Sequence, residues 1–138
     1  KTFVKMGSYG VGVSRLVGAI IEAKYDDKNE IMKWPLPIAP YECAILDSGN
    51  KMDANNISKK AFYVRDKLQG IDLIIDDTDD NISAKIKKFN LIGVPYQIIL
   101  GSKTPEDAIE FREVGKESQI IKMDNFSKIH KIISDKRN

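Results

Sequence analysis

The thirty residues IDLIIDDTDDNISAKIKKFNLIGVPYQIIL, positions 71–100, decide the fold. Ile71 to Ile75 is apolar except for Asp72, as expected of a short strand in a sheet covered on both faces. A polar turn follows, and then Ile82, Ile86 and Phe89 repeat at helical spacing before Gly93 and Pro95 stop the run. Tyr96 to Leu100 reads as another strand. Strand, helix and strand in that order predict an α/β sheet with helices packed on its faces.

The same alternation extends in both directions. Glu42 to Leu46 predicts an earlier strand. A helix capped by Asp53 or Asn55 is expected to carry Ile57, Ala61, Val64 and Leu68 on one stripe and to end at Gly70 in a left-handed cap. Downstream, Ile109 to Val114 and Gln119 to Met123 flank Gly115, which predicts a hairpin. A last helix, capped by Asp124 or Asn125, is expected to bury Phe126, Ile129, Ile132 and Ile133. The expected fold is therefore α/β, with a mixed, mostly parallel five-stranded sheet and helices on both faces, spanning residues 41–138.

Ahead of this domain the composition changes. Residues 11–23 are nearly uncharged, and Leu16, Val17, Ile20 and Ile21 fall at helical spacing. The polar turn Asp26 to Glu30 and then Pro35, Pro37 and Pro40 interrupt that pattern, so 34–40 reads as a linker between a short strand-helix piece, 1–33, and the domain. Within the piece, Met6-Gly7-Ser8-Tyr9-Gly10-Val11-Gly12-Val13-Ser14-Arg15-Leu16 is a glycine-rich run ending in an arginine. A dinucleotide fingerprint would need glycine where Arg15 stands, and Gly101-Ser102-Lys103-Thr104 lacks the Gly-Lys adjacency of a phosphate loop. From the residues alone the run is either one wall of a nucleotide site or a buried glycine-rich strand with an exposed arginine. As a nucleotide wall it starts too late to be a whole site, so the chain is expected to be a fragment.

With 138 residues and a net charge of +2, the chain suits one domain with a proper core and a short appendage, and it is not built as a strong nonspecific nucleic-acid binder. DNA is not an expected partner. One cysteine, Cys43, and one histidine, His130, offer neither a disulfide nor a zinc-like ligand set, so no metal is expected. No apolar run reaches the length of a membrane span, and a soluble cytoplasmic protein is expected. Asp76, Asp77, Asp79 and Asp80 read as a solvated turn with a helix cap rather than a Mg²⁺ site. Lys85, Lys87 and Lys88 read as a wet helix face, His130 as a surface residue and Cys43 as core.

The run MGSYGVGVSRLVGAIIEA, followed by Trp34-Pro35 and Ile38-Ala39-Pro40-Tyr41, resembles motif 3 and its sequel in the prolyl branch of the class II aminoacyl-tRNA synthetases. LIIDDTDD, Lys85, FNLIGVPYQIILG and IEFREVGKESQII resemble the anticodon-binding domain shared by several of those synthetases. Together the two resemblances cover essentially the whole chain. They imply that Gly10, Gly12 and Arg15 belong to an ATP site, with Arg15 on the phosphates. Motifs 1 and 2 are absent, so no catalytic residue and no cofactor are expected on these residues alone. The parent enzyme, a homodimer by the same resemblance, would ligate proline to tRNA(Pro) with ATP and Mg²⁺.

The resemblance further implies that the anticodon of tRNA(Pro), which ends in two guanines, is the ligand of the second domain. Guanine presents donors at N1 and N2, suited to a carboxylate, and acceptors at O6 and N7, suited to arginine. Glu110 and Arg112 lie two apart on an expected strand and so share a face. Lys85 stands where the family places an RNA-facing lysine, and Asp77 and Thr78 belong to the same expected surface. Thr78 and Val114 occupy positions where many relatives carry arginine, so weak RNA affinity is expected. Two further functions fit the residues: a free-standing accessory RNA- or protein-binding module of the same fold, and an unrelated small nucleotide-binding α/β protein.

Overall fold

The computed structural model describes residues 2–48, 58–102 and 104–137. Among these, α1 (Val13–Lys24) leads into a two-stranded hairpin, β1 (Tyr25–Asp26) with β2 (Ile31–Met32), and a 3₁₀ turn at Leu36–Ile38. The main sheet follows as β3 (Cys43–Asp47), α2 (Lys59–Lys67), β4 (Leu73–Asp76), α3 (Ile82–Ile92), β5 (Tyr96–Leu100), β6 (Ala108–Glu113), β7 (Gln119–Lys122) and α4 (Phe126–Ser134). Its strand order is β4-β3-β5-β6-β7. β3 pairs in parallel with β4 and β5, while β6 is antiparallel to both of its neighbours. Four strands thus share one direction, although only two of the four pairings are parallel.

Each face is covered differently. Cys43, Ile45, Ile98, Ile109, Phe111 and Ile121 point to one side, where Ala61, Val64 and Leu68 from α2 and its end, and Phe126, Ile129 and Ile133 of α4, close a continuous core. On the other side Ala44, Leu46 and Ile99 meet Phe89 and Val94 of α3 and its C-terminal turn. α3 therefore covers β4, β3 and β5, and no helix among the described residues continues over β6 and β7. β4 is an edge strand, not an interior one. Its apolar run reflects burial of alternate residues against both cores, with Leu73 and Ile75 on one side and Ile74 on the other.

Local signals explain the element ends. Asn81 Oδ1 accepts from the Ala84 amide at 2.8 Å and starts α3. Gly93 ends it at φ 83°, and a Cβ there would fall 2.5 Å from Trp34 Cδ1, so both the turn and the packing require glycine. α2 is capped by Ser58, whose Oγ accepts from the Ala61 amide. The caps expected at Asp53 or Asn55, and Ile57, lie outside the described residues. Asn125 holds the N-cap position of α4 without a side-chain cap bond. Gly115 turns the β6–β7 hairpin at φ 83°.

The expected N-terminal strand is not formed. Residues 2–12 make no strand pairing, and Phe3, Val4, Met6 and Tyr9 are almost fully exposed. A strand needs a neighbour for its backbone groups, and the described residues offer none here. α1 forms as expected, but Leu16, Val17 and Ile21 remain exposed and the helix buries no residue. Ile31 and Met32, by contrast, are buried, and Trp34 Nε1 donates to the Ile92 carbonyl at 3.0 Å, which fastens the hairpin and linker to the end of α3. Cys43 is fully buried, and burial pushes its thiol pKa up. No helix among the described residues is long and apolar enough to cross a membrane.

Candidate functional site

Beyond the edge of α3, the uncovered half of the sheet carries a short polar patch. In the antiparallel register Glu110 lies opposite Ile99 and Ile120, and Arg112 lies opposite Gln97, so all share the α3 side of the sheet. Glu110 and Arg112 are half-buried, and Ile120 is 57% exposed. The Arg112 Nη2 donates to Asn90 Oδ1 of α3 at 3.2 Å, and Gln97 Nε2 donates to the same oxygen at 3.1 Å. Arg112 Nε and Gln97 Oε1 are buried with no partner. Burial lowers the Arg112 pKa and the nearby Glu110 carboxylate opposes the shift; the guanidinium stays charged.

A second cluster sits at the junction of β4 and α3. Asp76 Oδ1 accepts from the Thr78 amide at 2.9 Å and from its hydroxyl at 2.5 Å, while Lys88 Nζ lies 2.6 Å from Oδ2. Burial pushes the Asp76 carboxyl up, but Lys88, Thr78 and Lys85 outweigh it and hold the pKa below the ordinary value. Asp77 and Thr78 themselves are exposed.

Lys85 belongs to this cluster from below. Its ammonium donates to the Asp47 carbonyl at 2.8 Å and the Asp76 carbonyl at 3.2 Å, and lies 3.6 Å from Asp76 Oδ1. With 1% of its side chain exposed, it is neither on a wet helix face nor directed at RNA. It ties the C-terminal ends of β3 and β4 together beneath α3.

The sequence-derived site residues therefore form three groups. Glu110 and Arg112 come together as expected. Asp77, Thr78 and Lys85 surround Asp76, three strands away, which places the β4 and β6 groups about 14 Å apart at ordinary strand spacing. Gly10, Gly12 and Arg15 stand on exposed chain at the start of α1, and a Cβ at Gly10 would meet nothing within 4 Å. One guanidinium and two glycines do not make a nucleotide pocket, so the residues present do not by themselves fit ATP or its metal.

Three participants were missed by sequence reasoning. Gln97 was marked by being the one polar residue in the strand YQIIL; Asn90 and Lys88 carried no signal beyond their place on a helix. In the patch, a carboxylate acceptor, a cation with spare donors and an exposed aliphatic side chain lie side by side. That combination suits a flat polar ligand with both donors and acceptors on its edge.

Comparison with known proteins bears on what that ligand is. Residues 42–133 match the family model described as an anticodon binding domain. The chain is 57% identical over 130 residues to a proline–tRNA ligase of Pelagibacter ubique, covering 94% of this chain and 29% of that protein. A proline–tRNA ligase of Nitratiruptor is 42% identical over 131 residues, covering 94% and 22%. The fold is similar to that of a prolyl-tRNA synthetase from Cryptosporidium parvum solved with L-proline and AMP, at TM-score 0.71 and 19% identity, covering 91% of this chain and 27% of that one. A Giardia lamblia prolyl-tRNA synthetase in complex with prolyl-adenylate gives a TM-score of 0.70 at 21% identity, covering 90% and 29%. The chain spans less than a third of the length of each of these relatives.

Proposed function

The chain belongs to the anticodon binding domain family, and from that premise we propose that it reads the anticodon of tRNA(Pro) as the decoding module of a proline–tRNA ligase. The observation that carries this reading is the patch on the open half of the sheet, where Glu110 and Arg112 share one face beside exposed Ile120. Unstacked anticodon bases expose their edges to such a surface. Glu110 accepts from guanine N1 and N2, Arg112 donates to O6 and N7, and Ile120 gives the base an apolar contact. Asp77 and Thr78, across the sheet, meet the loop backbone or a neighbouring base. Lys85 acts behind them by holding the ends of β3 and β4.

In the parent protein, a cytoplasmic homodimer in this reading, proline is activated with ATP and Mg²⁺ and then transferred to the tRNA. Gly10, Gly12 and Arg15 contribute to that ATP site only when the remaining walls are supplied. Residues 1–33 are then a piece of the catalytic domain and 34–40 its linker, a division supported by the exposed stripe of α1. These residues alone activate no proline.

Titration of the chain with a proline anticodon stem–loop, and with stem–loops in which each of the two guanines is replaced by adenine, tests the proposal. Weakening by about 1–3 kcal/mol per replaced guanine is expected. Equal binding of all three RNAs would overturn the reading.

A further inference from the structure

Arg112 is held by one oxygen. Its Nη2 donates to Asn90 Oδ1 at 3.2 Å, and that oxygen also accepts from Gln97 Nε2 at 3.1 Å. Gln97 is fully buried, so it is a fixed second donor that keeps the Asn90 carbonyl oxygen turned toward the sheet. Asn90 stands on α3, at the border between the covered and open halves of the sheet. Arg112 rises from β6 beyond that border.

A guanidinium is planar, with five N–H donors in a fixed fork. Securing one terminal nitrogen therefore limits which donors face outward. Arg112 Nε is buried without a partner, so the donors left to meet a ligand are those on the terminal nitrogens that the Asn90 bond does not use. We infer that Asn90 is a positioning residue for Arg112: its side-chain oxygen sets the direction in which the guanidinium meets the acceptor edge of an anticodon guanine. Asn90 touches no base. The inference rests on the anticodon reading above and adds to it a residue that decides which edge is read.

The consequence is specific to one edge of the base. Replacing guanine by 7-deazaguanine removes the N7 acceptor that Arg112 uses, whereas replacing it by inosine removes the 2-amino donor that Glu110 uses. Stem–loops carrying either change at each anticodon guanine are titrated against the chain and its variants. The unsubstituted chain is expected to bind each altered RNA about fivefold more weakly at the guanine it contacts, the value of one hydrogen bond. Asn90→Leu removes the acceptor at similar size; it should bind guanine and 7-deazaguanine RNAs within about twofold of each other and keep its inosine penalty. Asn90→Asp keeps an acceptor oxygen in place and should keep both penalties.

An Asn90→Leu variant that retains the full 7-deazaguanine penalty overturns the inference. So does one that loses both penalties together with a drop in its thermal midpoint, because that pattern marks a structural residue. If the unsubstituted chain binds every RNA equally, including those with adenine, the anticodon reading fails and this inference with it.

Discussion

Lys85 and Arg112 are both cations on the α3 side of the sheet, one beneath the helix and one beyond its edge. Lys85 has two carbonyls and a carboxylate around its ammonium and no exposed donor. Arg112 makes one hydrogen bond among the described residues, to Asn90, and has a buried Nε without a partner. Charge does not distinguish a strut from an interface residue here; the number of partners does. Around Lys85 the ammonium is fully engaged and serves the fold, while at the α3 border Gln97 Oε1 and Arg112 Nε are left without partners, beside a face that no helix among the described residues covers.

The largest effect expected from this contrast is at Lys85. Lys85→Met keeps the aliphatic stem but takes the ammonium away from the Asp47 and Asp76 carbonyls, and removes one of the cations beside Asp76. A loss of about 2–4 kcal/mol in unfolding free energy is expected. Urea denaturation followed by circular dichroism measures it. A variant within about 0.5 kcal/mol of the parent would show that Lys85 is not the strut described, and the contrast would lose its first half.

The second half of the contrast is tested on β6. Arg112→Ala and Glu110→Gln should each cost far less stability than Lys85→Met, because both residues are only half-buried, yet weaken binding of the proline anticodon stem–loop by about 1–3 kcal/mol. Fluorescence anisotropy at fixed salt reads the affinity, and thermal unfolding reads the stability. If the two substitutions unfold the protein as readily as Lys85→Met does, both halves of the sheet face are structural.

Much of this arrangement was legible in the residues. β5 falls on Tyr96–Leu100 as read, and the hairpin turns at Gly115, because apolar runs bounded by glycine and proline leave few alternatives. The shared face of Glu110 and Arg112 follows from strand periodicity alone. Lys85 was misread for an instructive reason. It lies three residues after Ile82 and four before Phe89, on the apolar stripe itself, but lysine at such a spacing is ordinarily solvated. Its burial depends on carbonyls at the ends of β3 and β4, which only the assembled sheet brings within reach. The edge position of β4 is hidden for the same reason: strand order is a property of the crossovers, not of any one strand. The glycine-rich run failed as a strand because strand formation depends on a neighbour as well as on the run's own pattern.

Acid sharpens the comparison with a smaller effect. The Asp76 carboxyl titrates in the folded protein below its ordinary 3.8, with burial opposing the shift and Lys88, Thr78 and Lys85 driving it. A depressed folded pKa means that this group contributes stability above the unfolded value and that the contribution is lost as pH falls through the folded one. The urea midpoint should therefore decline below about pH 4. Lys88→Gln should flatten that decline by removing the 2.6 Å ion pair. An acid limb unchanged in the variant would mean that Lys88 does not hold the carboxylate.

The smallest effect concerns two adjacent residues of β7 that face opposite sides. Ile121 is 3% exposed in the core beneath α2 and α4, and Ile120 is 57% exposed on the open half beside Glu110. Truncating Ile120 to alanine removes little buried area, so the unfolding free energy should change by less than about 0.5 kcal/mol. Affinity for the stem–loop should fall by only about twofold, as fits partial burial of one aliphatic side chain under a base. The neighbouring truncation, Ile121→Ala, provides the scale, because a cavity in a closed core removes transfer energy and packing together. An Ile120→Ala variant that loses as much stability as Ile121→Ala would mean that the β6–β7 half of the face is covered in solution, and the patch would then be closed to an anticodon.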